Sequence, residues 1–544
     1  MHRSARRIAA ISFSSLRIEI ARQLDPFLER RPLAVVIARE KNDAQGRQAQ
    51  SKQAQSKIQD ESSILGNTRI DEVSAEARRL GILPGFTVAA ARAKCADLFV
   101  RVVLEKAAEE ALARIAEIAL AFGATVSFST KEDTVWADVT GCAHLHDARN
   151  LDRGEKILAG KLAERVRLQG HEASVAVADG PRIALAFARH GQKDRGARSL
   201  VIAPDATKQA VSLLPVVALP VDDAAKHWLD KLGLKSAGDL SRLPRSSLGA
   251  RLGAQARLLF SFLDGADVEP LTAYRPPQTP VERVDLEYGI EGGEALLFVV
   301  KMLSARLGAR LEGRALGATE LELTFELDDA ARNRAKTKRS RVVRAITLAA
   351  PIRSETDLMA VARARIEAAE RKRETFDAPI LAVELAATKL ARMESRELDL
   401  LSRETSGTRA FPLLVAELSA DLGKEQVGIL ALQNSHREDQ RAHLVPVGGD
   451  PSASKPGRYR SLPSEEDAPE PARFLPTPIA AEKVILSDKN RLIRRSGWIE
   501  WWKEKGPQRG RAHDSKIAWS AEVGATAWVD VDLETGQQMI RGWE

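Results

Sequence analysis

Seven cations in thirteen residues, Arg332, Arg334, Lys336, Lys338, Arg339, Arg341 and Arg344, follow one another without an acid. Such a stretch is either a solvated hairpin tip or a grip on phosphates that reads no bases. Other patterns with chemical potential fall away. Gly154 to Lys161 has glycines one residue too far apart for a phosphate loop, and Leu162 stands where Ser or Thr is required. Cys142, His144 and His146 alternate as metal ligands can, but no fourth ligand accompanies them, so a partly exposed turn is expected and no metal. Neither GxSxG nor HExxH occurs. No hydrolase chemistry and no cofactor are implied.

The elements around the cations are legible. Glu282–Glu287 reads as a strand, Gly293–Leu311 as a helix, and Thr319–Leu327 as a half-buried strand with Leu321, Leu323, Phe325 and Leu327 on one face. Arg341–Leu348 is a further strand, Ser354 with Asp357 opens a helix running to about Arg373, and Ile380–Ala387 closes the set. This β-α-β-β-α-β order folds as four strands with two helices on one face, and the cations join its second and third strands. Ahead of it, Arg7–Phe13 and Leu33–Ala38 read as buried strands flanking a helix at Leu16–Leu28. A helix at 105–122 and strands at Ala124–Ser129 and Val135–Val139 complete an α/β pattern.

The chain has 544 residues, enough for three to four domains. An α/β region is expected over 1–208, with a polar loop at 41–62. A helical module follows over 209–274, with segments around 222–232, 236–242 and 245–264, then the β-α-β-β-α-β unit over 275–390, opened by the Pro-rich linker RPPQTP. A helical and strand segment covers 391–445. Eight of the 24 prolines lie between Pro446 and Pro478, marking a largely irregular connector over 446–480. Six of eight tryptophans, Trp498, Trp501, Trp502, Trp519, Trp528 and Trp543, fall in a β-rich terminal domain over 481–544. Trp519 and Trp528 are expected in its core; Trp501 and Trp502 are either core or stacking residues. Two cysteines cannot build a disulfide framework, and no apolar run spans a bilayer, so a cytoplasmic, nucleoid-associated protein without a membrane partner is expected.

Arg7–Pro26, Ala75–Phe86, Lys131–Gly141 and Lys231–Leu240, with the β-α-β-β-α-β pattern, resemble the palm and fingers, thumb and little finger of Y-family translesion DNA polymerases. The resemblance covers roughly residues 7–390. It implies a multidomain α/β and α+β fold, and it places metal-binding carboxylates at four positions, because two-metal phosphoryl transfer needs anionic oxygens. Those positions here hold Ser12, Ser14, Asp133 and Thr134, so only Asp133 remains as a vestige. Arg17 stands for the aromatic gate against ribose, Ala75 for a triphosphate-binding Tyr, and Arg78 at the phosphate-binding Arg, where a helix-surface role competes with nucleotide contact. Without its acids the frame is expected to be catalytically silent. The alternative is an active polymerase with displaced ligands, Asp133 with Glu132 or Glu19.

Phe411–Leu422, Ser435–Glu438, Arg473–Pro478 and Ser496–Trp502 extend the resemblance, over nearly the whole chain, to the ImuB family of inactive Y-family homologues in bacterial SOS mutagenesis cassettes. The resemblance implies a scaffold that binds primer-template DNA, a sliding clamp, a RecA-like ImuA protein and an error-prone DnaE-type polymerase. Glu397-Leu398-Asp399-Leu400-Leu401 is similar to a clamp-binding peptide and departs from it at Glu397 and Leu401. Gln23-Leu24-Asp25-Pro26-Phe27 matches the letters better, but at a helix end Leu24 and Phe27 are expected to be buried.

Overall fold

The computed structural model describes residues 6–38, 58–59, 64–191, 199–291, 293–328, 340–374, 376–393, 407–432, 442–446, 473–480, 484–485, 492–495, 513–520, 525–532 and 535–543. The polar loop (apart from 58–59), the cations from Arg332 to Arg339, the peptide 397–401, and Trp498, Trp501 and Trp502 lie outside the described residues. Met1–Asp421 form one compact unit and Leu422–Glu544 a second.

The first unit opens with β1 (Arg7–Phe13), buried at all seven positions, and α1 (Leu16–Leu24). The expected helix to Leu28 stops early: Asp25, the residue before Pro26, is extended, and Pro26–Leu28 forms a 3-10 turn. There follow β2 (Leu33–Ala38), β3 (Ile58–Gln59), β4 (Glu72–Val73), α2 (Ala75–Arg79), α3 (Val88–Lys94), β5 (Phe99–Leu104), α4 (Glu105–Ala119), β6 (Thr125–Ser129), β7 (Thr134–Asp138), α5 (Leu151–Leu168), β8 (Ala173–Asp179), α6 (Pro181–His190) and β9 (Ser199–Val201). One sheet runs β6-β7-β1-β8-β9 and a smaller one β3-β5-β2-β4. Successive β1 side chains serve opposite faces. Ala9, Ile11 and Phe13 join the core with Leu112 and Ile115 of α4 and Leu158 and Leu162 of α5, while Ile8 and Ala10 join Ile183 and Phe187 of α6. The phosphate-loop look-alike, Gly154 to Lys161, lies inside α5.

The helical module contains α7 (Thr207–Ser212), α8 (Asp223–Lys231), α9 (Ala237–Leu240), α10 (Arg245–Leu252) and α11 (Gln255–Leu263). The segment expected over 245–264 is two helices. Gly253, at φ 55°, adopts a left-handed turn that ends α10.

The β-α-β-β-α-β unit is β10 (Val281–Ile290), α12 (Gly293–Gly313), β11 (Leu316–Leu327), β12 (Arg341–Ile352), the helix Glu355–Arg371 capped by Ser354, and β13 (Ile380–Arg392). Its sheet order is β10-β13-β11-β12, antiparallel throughout. Leu321, Leu323, Phe325 and Leu327 are all buried, on the face covered by Leu303 and Leu307 of α12 and Leu358 and Val361 of the following helix.

In the second unit, Gly428–Leu432 pairs with Ala442–Pro446. A separate sheet orders Arg473–Ala480, Gln538–Trp543, Ala525–Asp532, His513–Ser520 and Val484–Ile485. Arg473–Ala480 forms a strand inside the stretch expected to be an irregular connector. Pro476 and Pro478 are tolerated because this strand is at the sheet edge and its register breaks between Phe474 and Ile479. Ala527, Val529 and Ile540 are buried there with Trp543 packed on them; the side chains of Trp519 and Trp528 lie outside the description. Among the described residues no helix is long and apolar enough to cross a membrane.

Candidate functional site

The positions that the resemblance assigns to metal ligands meet at the end of β1 and the β6–β7 turn. Register pairs Ser12 with Thr134 directly. Both side chains are buried, and their hydroxyl oxygens lie 3.3 Å apart. Thr134 Oγ1 donates to the Glu132 carbonyl at 2.6 Å, and Arg189 Nε donates to Ser12 Oγ at 3.3 Å. Arg189 also donates to the Glu132 carbonyl. Ser14 is exposed, one residue past the strand.

Asp133 occupies the turn at φ 42°, a left-handed conformation uncommon outside glycine. Its Oδ2 lies 2.7 Å from Arg17 Nη1, which also lies 2.7 Å from Glu72 Oε1 on β4. Arg17, on the first turn of α1, is only 5% exposed. One guanidinium thus bridges two carboxylates where the resemblance places catalytic ions. Burial pulls the Arg17 pKa down, but Asp133 and Glu72 outweigh it and raise it. Burial pushes Glu72 up despite its Arg17 contact.

Mg²⁺ demands near-octahedral oxygen ligands and is held through carboxylates. Two of the four positions here are buried hydroxyls satisfied by protein groups, and the one acid is committed to Arg17. Asp133 Oδ1 is buried without a hydrogen bond, and one spare oxygen does not make a two-ion cage. The residues do not fit that metal pair. Among the described residues no three His, Cys, Asp or Glu side chains converge as a metal site, Cys142, His144 and His146 included.

Glu19, which with Glu132 is an alternative partner of Asp133 in a displaced ligand set, is turned to His171. Gln23 settles the tautomer: Arg306 donates to its Oε1 at 3.0 Å, so its Nε2 is the donor, to the Gly170 carbonyl and toward His171 Nε2 at 3.3 Å. His171 Nε2 then accepts, and its Nδ1–H donates to Glu19 Oε2 at 3.0 Å. Burial holds His171 down to about 3 and pushes Glu19 up to about 8, so at neutral pH this is a hydrogen bond between mostly uncharged groups and not a salt bridge. The folded state binds the Glu19 proton more tightly than the unfolded chain, whose ordinary value is 4.5. Stability from Glu19 is therefore present below 4.5 and is lost as pH rises through about 8. Glu19→Gln should remove that alkaline loss, which unfolding measured at several pH values checks; an unchanged slope from pH 5 to 8 would refute the assignment.

The cationic stretch divides. Arg341 is exposed and lies within 3.6 Å of Glu384 and 3.8 Å of Glu322. Arg344 is a correction to the sequence reading: it is 4% exposed, packs over the rings of Phe325 and Phe376, and donates to the Glu374 carbonyl. It pairs with Leu323 on the core face, so it cannot reach a phosphate there. The opposite, open face of the sheet carries Asp285, Glu320, Glu322, Glu326 and Glu384 against Arg283, Arg341 and Lys389. Each of those cations is already ion-paired. These five carboxylates against three cations make the face acidic.

Arg78 is exposed near the end of α2, and Ala75 is exposed at its start. Phe27 is also a correction: it is 58% exposed, with the Arg31 guanidinium 3.6 Å above its ring. Glu72 and Arg189 escaped the sequence reading, since neither stands in a motif and only folding brings them to Arg17 and Ser12.

The model of the impB/mucB/samB family matches residues 12–189, and that of the impB/mucB/samB family C-terminal domain matches residues 285–400, together more than half of the chain. The chain belongs to the impB/mucB/samB family. Over 461 residues it is 27% identical to Protein ImuB of Caulobacter vibrioides (strain NA1000 / CB15N), covering 84% of this chain and 91% of that one. It is 24% identical over 261 residues to DNA polymerase IV of Shewanella woodyi (strain ATCC 51908 / MS32), covering 47% and 69%. Solved structures similar to it include an insertion ternary complex of Dbh DNA polymerase, at 14% identity and TM-score 0.39, covering 71% of this chain and all of that one. Within the impB/mucB/samB family it is of the ImuB type, with a Y-family polymerase-like chain. The family matches span both the hydroxyl-lined β1–β7 site and the four-stranded unit.

Proposed function

We propose that this chain is a catalytically silent scaffold of translesion DNA synthesis. It binds primer-template DNA and links a sliding clamp to a RecA-like ImuA protein and an error-prone DnaE-type polymerase, which performs the synthesis. The observation that carries this reading is Arg17. A buried guanidinium neutralises Glu72 and Asp133 where a polymerase of this family would hold metal ions, and Ser12 and Thr134 offer no charge to replace them.

In this reading DNA is held by phosphate contacts from Arg332, Arg334, Lys336, Lys338, Arg339 and Arg341. Clamp contact falls to Glu397-Leu398-Asp399-Leu400-Leu401. The better-lettered segment Gln23–Phe27 is helical and 3-10, and its Gln23 is tied to Gly170 and Arg306, so it is not an extended peptide free to enter a cleft.

The test is binding of the full-length protein to the sliding clamp of its own organism, beside the variant Leu398→Ala/Leu400→Ala/Leu401→Ala. Two apolar side chains in a cleft supply most of such an affinity, so the triple variant should bind at least about tenfold more weakly. Equal binding by both proteins would move the contact off this peptide, and no binding by either would remove the clamp from the proposal.

A further inference from the structure

The α/β region and the β-α-β-β-α-β unit share a buried carboxylate where they meet. Glu117, on α4, is fully buried. It accepts from Arg310 Nε and Nη2 of α12 at 2.7 and 2.8 Å, and from Arg314 Nε and Nη2, in the turn that follows α12, at 2.9 and 2.7 Å. Tyr274, from the segment joining the two regions, donates its hydroxyl to the same carboxylate at 3.2 Å. The two arginines then reach onward. Arg310 Nη1 donates to Glu282 and to the Val281 carbonyl of β10, and Arg314 Nη1 to the Pro277 carbonyl of the joining segment.

The surroundings are shaped for this contact. A Cβ on Gly313 would strike the Glu117 carbonyl oxygen, so α12 approaches the α4 backbone at a distance only glycine permits. Arg165 of α5 forms a forked pair with Glu312, and Arg306 donates to Gln23 of α1. The joining segment is itself fastened: the Tyr274 amide donates to the Val126 carbonyl at 2.7 Å, and its ring packs edge-on against Phe128. A segment that served only as a loose tether would leave its backbone to water. Buried ionic groups are tolerated only where partners are held in place, and separating these would strand Glu117 against apolar surface and leave two guanidinium groups unpaired.

We propose that Glu117 is the bolt of a fixed interdomain joint: the α/β region and the β-α-β-β-α-β unit form one rigid frame, which keeps its arrangement when DNA binds. This goes beyond the scaffold reading and does not rest on it, since a rigid joint is compatible with either catalytic or silent behaviour.

Hydrogen–deuterium exchange on the full-length protein tests it, with and without a primer-template duplex. In the wild type, amides of 274–282 and α12 should be protected to a degree comparable with β11 and β13, and DNA should leave that protection unchanged. In Glu117→Ala their exchange should quicken by about 100-fold, while the β11 and β13 core stays protected. Rapid exchange of 274–282 in the wild type, a large change on adding DNA, or no effect of Glu117→Ala would each overturn the joint. If Glu117→Ala unfolds globally, the wild-type comparison with and without DNA decides alone. The less disruptive Arg314→Gln, which leaves the Arg310 pair, should then show a smaller quickening confined to the same segments.

Discussion

Ser12→Asp combined with Thr134→Glu should still extend no primer above a no-protein control, in Mg²⁺ or Mn²⁺. Restoring two carboxylates would normally be the direct way to rebuild a two-ion site, because each ion needs hard anionic oxygens to bridge attacking and leaving groups. Here the new acids would enter a set of contacts already in place. A carboxylate at position 12 would lie beside Arg189, whose Nε is 3.3 Å from the present hydroxyl, and would pair with it. A glutamate at position 134 would have to fit where the side chain is wholly buried and bonded to the Glu132 carbonyl. Asp133 would remain shared with Glu72 on Arg17.

A carboxylate held in a short salt bridge gives up that contact before it can coordinate an ion, and a guanidinium at the site repels the incoming dication. Adding Arg17→Ala to the pair removes that obstacle but leaves Glu72 and Asp133 facing each other without a counter-charge. That triple variant should bind Mn²⁺ more strongly than the wild type and be less stable. Primer extension is the readout that separates the alternatives. Template-dependent synthesis by the wild-type protein, abolished by Asp133→Asn, would establish a working polymerase with displaced ligands and end the scaffold proposal. Synthesis gained by Ser12→Asp/Thr134→Glu alone would show that Arg17 is no barrier.

What the residue pattern could convey depended on periodicity. The β-α-β-β-α-β unit was readable because alternation at Leu321, Leu323, Phe325 and Leu327 fixes a strand face without knowledge of its neighbours. The same rule contained the answer for Arg344: it shares parity with Ile346 and Leu348, both buried, so its burial was available from the sequence and was hidden by the run of charge around it. The acidic open face was only half visible. Glu320, Glu322 and Glu326 alternate along one strand, but Asp285 and Glu384 join them only through strand pairing between distant segments. Long-range pairing is what a single sequence conveys least. Glu117 makes the point most sharply. It is one of several acids on an amphipathic helix, and nothing local separates it from Glu109 or Glu110; α12, nearly two hundred residues later, does. The hydroxyls at 12 and 134 could be read as missing charge. That Arg17 would take up the remaining acids depended on Glu72 arriving from another sheet.

Arg7→Met should destabilise the α/β region by about 3–5 kcal/mol, the cost of stranding buried acids by removing their partner. Arg7 is 6% exposed on the central strand β1. Its guanidinium donates to Glu155 at 2.8 and 2.6 Å, to Asp179 at 2.7 Å and to the Ile202 carbonyl at 2.7 Å, so one side chain ties β1 to α5, to β8 and to the segment leaving the sheet. Thr207 donates to the second Asp179 oxygen, extending the network into α7. Burial alone would lower the Arg7 pKa, yet Glu155 and Asp179 raise it, the sign of a charge held by its neighbours. Methionine fills much of the same volume, so lost packing contributes little to the difference. Because a chain with several domains need not unfold in one step, the quantity to measure is the opening free energy of the β1 and β8 amides by hydrogen exchange. The companion variant Arg7→Met/Glu155→Leu/Asp179→Leu separates charge from packing: replacing all three ionic groups by apolar ones should recover most of the loss, since such networks replaced whole are often neutral. A loss below about 1 kcal/mol in the single variant would put the network in the class of solvated surface pairs and remove its role in holding β1 against β8.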